Sequence, residues 1–237
     1  MNSWSVPLCL GRGGFLMRKM IFFLWILFLF PSITWAQEKI GAPIWNVGDK
    51  WGFTQGNIEV IGADKKSYAL NFSKDSCILE NVGYETIIFE KSTLNRTYFL
   101  KGDIREKYTM GLKNIFNFPF SPGNQWKHAY SAKPIIFKEY LEFQGIPFLD
   151  HYENIKILGW EDIGVKAGQF RALRIEFVSG YKDYQVGLFP RPGFEFKNYY
   201  WYSPDVKYFV KCKYDKALIE KHKEIFNWEL TSFNFKK

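Results

Sequence analysis

Cysteine and histidine are scarce in this chain, with three of each among 237 residues. The histidines, His128, His151 and His222, show no His-x-x-x-His spacing, and Cys9, Cys77 and Cys212 form no Cys-x-x-Cys pair. A locally assembled zinc site is therefore excluded, and neither a metal nor a cofactor is expected. No serine sits in a Gly-x-Ser-x-Gly elbow. The only glycine-rich cluster, Gly11-Arg12-Gly13-Gly14, follows no strand and so is not a phosphate loop. Paired carboxylates remain at Glu161-Asp162, and Asp150 stands beside His151. Neighbours in a strand face opposite sides, so neither pair can flank one glycosidic bond as acid and base unless a turn or bulge intervenes. No catalytic residue is assigned, and the expectation is a protein that is not an enzyme.

Long runs of one character are equally rare. Basic residues are scattered singly among acids and aromatics, with no basic helix or tract to lie along a phosphate backbone, which argues against a nucleic-acid partner. The one unbroken apolar run is Met20 to Phe30, preceded by Arg12, Arg18 and Lys19 and followed by Pro31 and small residues up to Ala36. That arrangement reads as a secretory signal peptide over 1–36. At about half the ~20 residues a spanning helix needs, the run predicts no stable membrane span after cleavage. Cleavage is expected after Ala36, with Thr34 and Ala36 as the small residues at the cut. No Cys stands there for lipid attachment. Met1, Met17 and Met20 each leave a workable start. Losing the leader lowers the net charge from +8 to +5, since three cations and no acid leave with it. The mature chain, 37–237, is expected to be a single exported β-rich domain, periplasmic or secreted.

What the chain does have is aromatic residues, 20% of the total, arranged with period two. Val206, Tyr208, Val210, Cys212 and Tyr214 alternate with lysines, only Phe209 breaking the polar side. Leu173, Ile175 and Phe177 alternate with Ala172, Arg174 and Glu176, and Phe226, Trp228 and Leu230 with Asn227, Glu229 and Thr231. Each is a strand with one buried face. Further strand-like stretches run through Ser67–Phe72, Tyr84–Phe89, Thr97–Leu100, Ile135–Phe143, Tyr152–Leu158 and Phe194–Tyr202. Turn residues separate them at Gly62-Ala63-Asp64, Gly102-Asp103, Pro122-Gly123-Asn124, Gly145-Ile146-Pro147 and Pro190 to Gly193. One helix candidate, Asp215–Glu224, is equally readable as a hairpin tip. The expected fold is all-β and mainly antiparallel: a strongly curved sheet, half-barrel or sandwich, with at most one or two short helices. Cys77 and Cys212 could pair in an oxidising compartment, a bridge worth about 4–5 kcal/mol in the chain-entropy account; two separate buried thiols are the alternative.

Gly48-Asp49-Lys50-Trp51 is echoed by Gly123-Asn124-Gln125-Trp126, each opening a strand-like run; a shared turn device is favoured over a duplicated domain. With Phe118-Pro119-Phe120, Gly159-Trp160-Glu161-Asp162, Val165-Lys166-Ala167-Gly168-Gln169-Phe170 and Tyr200-Trp201-Tyr202-Ser203-Pro204, these pieces make the chain resemble a loose group of exported bacterial β-sheet proteins of unknown function. The resemblance spans most of the mature chain and implies a curved antiparallel sheet. That sheet would be an open half-barrel, distantly similar to the periplasmic lipoprotein carriers that hold acyl chains in a concave face. Lys166 departs from the proline expected in that turn.

The aromatic load and the missing catalytic motifs together suggest a binding protein for a lipid or other hydrophobic small molecule. Trp126, Trp160, Trp201 and Tyr200 are the candidate ligand-binding residues. The alternative is a structural or interaction module that binds an envelope protein. For any single Trp, ordinary core packing competes with both readings.

Overall fold

A computed structural model describes residues 38–73, 86–101, 104–107, 114–132, 149–186, 189–215 and 227–236. The leader, Cys77 and with it the proposed bridge, His222, the strand Ile135–Phe143, the helix candidate and the turns at Gly102 and Gly145 lie outside the described residues.

Twelve strands form one antiparallel sheet. They are β1 (Lys50–Phe53), β2 (Gly56–Ala63), β3 (Ser67–Phe72), β4 (Thr86–Glu90), β5 (Arg96–Lys101), β6 (Ile104–Lys107), β7 (Gln125–Ala132), β8 (Leu149–Val165), β9 (Gly168–Tyr181), β12 (Phe194–Ser203), β13 (Tyr208–Tyr214) and β14 (Trp228–Asn234). A small separate hairpin holds β10 (Tyr184–Val186) and β11 (Phe189–Arg191). The spatial order is β6-β5-β4-β3-β2-β1-β14-β13-β12-β9-β8-β7. Two six-stranded meanders thus join edge to edge at the β1–β14 pair, and β6 and β7, consecutive in the chain, lie at opposite edges of an open sheet. The only helical piece among the described residues is a 3-10 turn at Pro204–Val206.

The turn echo is structural. Gly48 N–H donates to the Val60 carbonyl (2.7 Å), Asp49 N–H to Asn46, and Val60 N–H back to the Asp49 carbonyl. Gly123, Asn124 and Ile157 repeat the same three bonds, with Ile157 as the outer partner and Ser121 as the acceptor three residues back. Gly48 (φ +93°) and Gly123 (φ +86°) occupy the left-handed region that a side chain resists. Each turn opens the first strand of a meander.

Period-two alternation holds where the ladders are regular and fails at bulges. The strand read from Val206 instead starts at Tyr208: Val206 belongs to the 3-10 turn and Lys207 has φ +59°. Tyr202 pairs with Phe209 while Trp201 pairs with Lys211, which leaves Val210 as the extra residue. The bulge explains why Tyr208, Phe209 and Val210 are all buried. A second bulge at Leu158 carries β8 far past the Tyr152–Leu158 stretch. The β8–β9 hairpin therefore reaches to a turn at Lys166-Ala167, where Ala167 N–H donates to the Leu230 carbonyl (3.0 Å) and Lys166 stands 4.0 Å from Glu229.

Part of the inner face is filled by the chain itself. Ile115, Phe116 and Phe120 are buried between β6 and β7 in sequence, and Trp45 is buried ahead of β1. Phe116 lies within 6.5 Å, centroid to centroid, of Trp45, Phe120, Tyr202, Tyr208 and Phe209. The indole N–H of Trp51 donates to the Val206 carbonyl (2.7 Å) and that of Trp45 to Lys207 (3.0 Å), so two tryptophans hold the 3-10 turn.

Candidate functional site

Directly paired residues share a sheet face, so the registers of β7, β8, β9, β12 and β13 can be read as rows running across the inner face. One row is Ile157, Ile175, Tyr200, Cys212 and Trp228. The next is Trp126, Ile155, Phe177, Asn198 and Tyr214. Then come His128, Glu153, Ser179 and Phe196, and outermost Tyr130, His151, Tyr181 and Phe194. The first row is wholly buried, and the third contains buried Glu153 and Ser179. All four members of the outermost row are half-buried. Polarity and exposure rise together toward this end.

The rings along it are continuous. His128 stacks on Tyr130 (5.4 Å between centroids) and Tyr130 on His151 (5.1 Å, planes within 5°). His151 meets Tyr181 edge-on (5.8 Å), and Tyr181 meets both Tyr184 (5.7 Å) and Phe194 (6.0 Å). The series continues through Phe196 to Tyr214. Burial, then the neighbouring Tyr184, push the Tyr181 hydroxyl above its ordinary value. It therefore stays a neutral donor at physiological pH. Aromatic faces and edges of this kind take apolar chains and rings, while the buried Glu153, Ser179 and Asn198 supply polar groups one or two rows deeper.

The four residues singled out from sequence do not share one surface. Tyr200 is in the core, against Phe209 (5.2 Å), Phe177 and Trp228. Trp201 is on the opposite face, where its indole N–H donates to Glu161 (2.8 Å). Arg174 pairs with the same carboxylate (3.0 Å) and lies over Tyr199 (4.2 Å to the ring centre). Burial alone pushes Glu161 up, but the Trp201 N–H and Arg174 outweigh it and hold the carboxyl below its ordinary range. Along the same face Tyr152 donates to Glu195 (2.7 Å), which pushes the phenol up to about 12. Lys197 pairs with Glu176 (3.0 Å). Trp160 sits under Arg171 (4.8 Å), and Trp126 donates to the Asn114 carbonyl (2.9 Å) beside Phe120. Trp126 and Tyr200 share the inner face with the aromatic series, and so does Trp160, which pairs with the buried Leu173 but stands at the opposite end of the β8–β9 ladder; Trp201 alone faces the other way.

His128 and His151, read from sequence as unrelated, are placed two residues apart across the β7–β8 ladder. Nothing in their sequence spacing announces this, because only the register of the β7–β8 ladder brings them together. Among the described residues no group of three His, Cys, Asp or Glu side chains converges as a metal site would require. Asp150 points away from His151, as strand alternation demands.

No family model matches the chain, and no curated protein does either. Among solved structures it is similar to the hypothetical lipoprotein YmcC of Escherichia coli K12, at 7% identity, covering 82% of this chain and 91% of that one with a TM-score of 0.40. A presumed exported protein with a YmcC-like fold from Bacteroides fragilis is 10% identical, covering 83% and 100%, TM-score 0.37. A presumed lipoprotein from Parabacteroides distasonis is 10% identical, covering 84% and 100%, TM-score 0.35. No residue role is carried over from them.

Proposed function

We propose that this is an exported, non-enzymatic binding protein that holds a hydrophobic or amphiphilic ligand, lipid-like in character, at the aromatic end of its inner face. The apolar part of the ligand lies across Tyr130, His151, Tyr181 and Phe194, and its polar part meets the row of His128, Glu153 and Ser179. The observation that carries the reading is the unbroken ring series on one face of five neighbouring strands. Export is supported by the leader read from residues 1–36. Trp201 and Trp160 drop out of the ligand set in favour of this series, and Trp126 stays at its margin.

The test is uptake of a fluorescent fatty acid by delipidated protein, with native mass spectrometry of the protein as purified. Tyr181→Ala is expected to weaken uptake about tenfold or more, the loss of one well-packed aromatic contact. Trp201→Phe, on the other face, should leave uptake unchanged. Absence of both uptake and co-purifying lipid would remove the proposal. A second reading, an envelope module that recruits a protein by strand addition, is favoured by the eight-residue β7 at the sheet edge. Specific protein capture abolished by a proline in β7 would support it.

A further inference from the structure

The inner-face rows that end in the ring series carry charge unevenly. The lysines and the arginine that alternate with them, Lys127, Lys156, Arg174, Lys197, Lys211 and Lys213, all face the other side of the sheet. Glu153, buried in the row of His128, is the one acidic member of the four rows. A ligand lying on this face therefore meets no permanent cation from the rows. Positive charge comes to them only when His128 and His151 take up protons, which histidine does near pH ~6.5.

The two imidazoles belong to one cluster. His128 is the direct partner of Glu153 across the β7–β8 ladder, and His151 stands two residues from Glu153 on β8, so all three share one face. Tyr130 stacks on both rings, at 5.4 and 5.1 Å between centroids. A protonated imidazole is stabilised there by the phenol ring through cation–π attraction and by Glu153 through charge. His128 Nδ1 lies 3.3 Å from the Asn114 side-chain amide, which can donate to the neutral ring or turn its oxygen to the protonated one. Both rings are half-buried and so stay within reach of solvent protons. Among the described side chains, the other titratable groups facing them are Tyr181, whose hydroxyl is pushed up and stays neutral, and Tyr184 beyond it. Asp150 and Glu195 face the other side, and Asp183 accepts from the Gly193 N–H (2.6 Å).

We propose that the site chooses amphiphiles by head-group charge and that acidification reverses the choice: uncharged or cationic heads above the histidine range, anionic heads below it. The inference rests on the ring series holding an apolar chain. With Glu153 ionised, protonation of both histidines reverses the sign of the charge on the rows, because two cations join one carboxylate. The partners that Glu153 and the histidines already have inside the protein do not alter this, since the two added charges are felt through space.

The test titrates three fluorescent amphiphiles of one chain length, ending in a sulfonate, a trimethylammonium or a hydroxyl, into the purified protein. The two conditions are pH ~8 and pH ~5.5, either side of the histidine range, and none of the heads changes its own charge between them. The sulfonate is expected to bind about tenfold tighter at the lower pH and the ammonium about tenfold weaker, with the hydroxyl probe changing less than about twofold. By linkage, bound sulfonate should shift the titration of the His128 and His151 ring resonances to higher pH, which NMR reads on the unmodified protein. In His128→Gln combined with His151→Gln, the ratio of sulfonate to hydroxyl-probe affinity should become the same at both pH values, whatever the pair does to uptake itself. Uptake of the hydroxyl probe with pH-independent affinity for both charged heads would overturn this inference and leave the ring series standing. A ratio that still rises on acidification in the double variant would also overturn it, by placing the switch in another group. No uptake of any probe at either pH would remove the ring-series reading and this inference together.

Discussion

Asp49 is fully buried, and its two carboxylate oxygens tie together distant parts of the chain: one accepts from Asn46 N–H (2.9 Å), the other from Lys236 N–H (2.9 Å). Lys207 stands 3.7 Å away. Asp49→Ala strands two backbone donors and a partly buried cation, and a loss of about 3 kcal/mol is expected in urea unfolding, the range found when one partner of a buried pair is removed. Glu161 gives a pH-dependent counterpart. Its folded carboxyl titrates below the ordinary 4.5, so its contribution is present above that value and is lost as pH falls through the lower folded value. Glu161→Gln should therefore flatten the acid limb of the unfolding-midpoint profile below pH ~4.5 relative to wild type, while leaving its shape near neutrality unchanged. Sequence reading placed Asp49 in a turn and Glu161 on a strand face. It could not show what either holds, because Lys236, just past the end of β14, and Trp201, on β12, arrive from remote parts of the chain.

At the scale of elements, period two located strands well where each residue has one partner, as in β3, β9 and β12. Bulges at Ile61, Leu158 and Val210 shift the phase by one, and a sequence with no register information reads such a shift as an end or an irregularity. The same limit hid the ring series, whose members come from β7, β8, β9, β12 and β13. Trp201 and Tyr200, adjacent in a dense aromatic run, were grouped by composition but separated by the pleat. The paired turns carry a direct test: Gly48→Ala and Gly123→Ala each place a side chain at positive φ, at a cost of about 1–2 kcal/mol in denaturant unfolding. Gly48→Ala should be the worse, because its Cβ would meet the Lys236 stem at 2.9 Å. The hairpin tip gives another. Ala167→Pro removes the N–H that reaches Leu230, and faster hydrogen exchange in residues 163–170 is the expected result.

For the whole molecule, a curved antiparallel sheet was legible, whereas its filling was not: Phe118-Pro119-Phe120 was visible only as a matching piece, although the surrounding segment packs the inner face. Phe116→Ala empties a space among six other rings and should cost about 3–5 kcal/mol, with increased binding of an apolar dye if the fold survives. The β1–β14 seam has a further consequence for the order of assembly. Every other neighbouring pair within a meander is made from strands close in sequence, but Lys50 must wait for Asn234. A chain emerging from its N-terminus can zip its first meander early, yet that half carries an unpaired β1 edge until nearly the last residues arrive. Such a protein travels most safely as an unfolded thread, and the closing of one late seam, not the forming of any single hairpin, sets when it becomes whole.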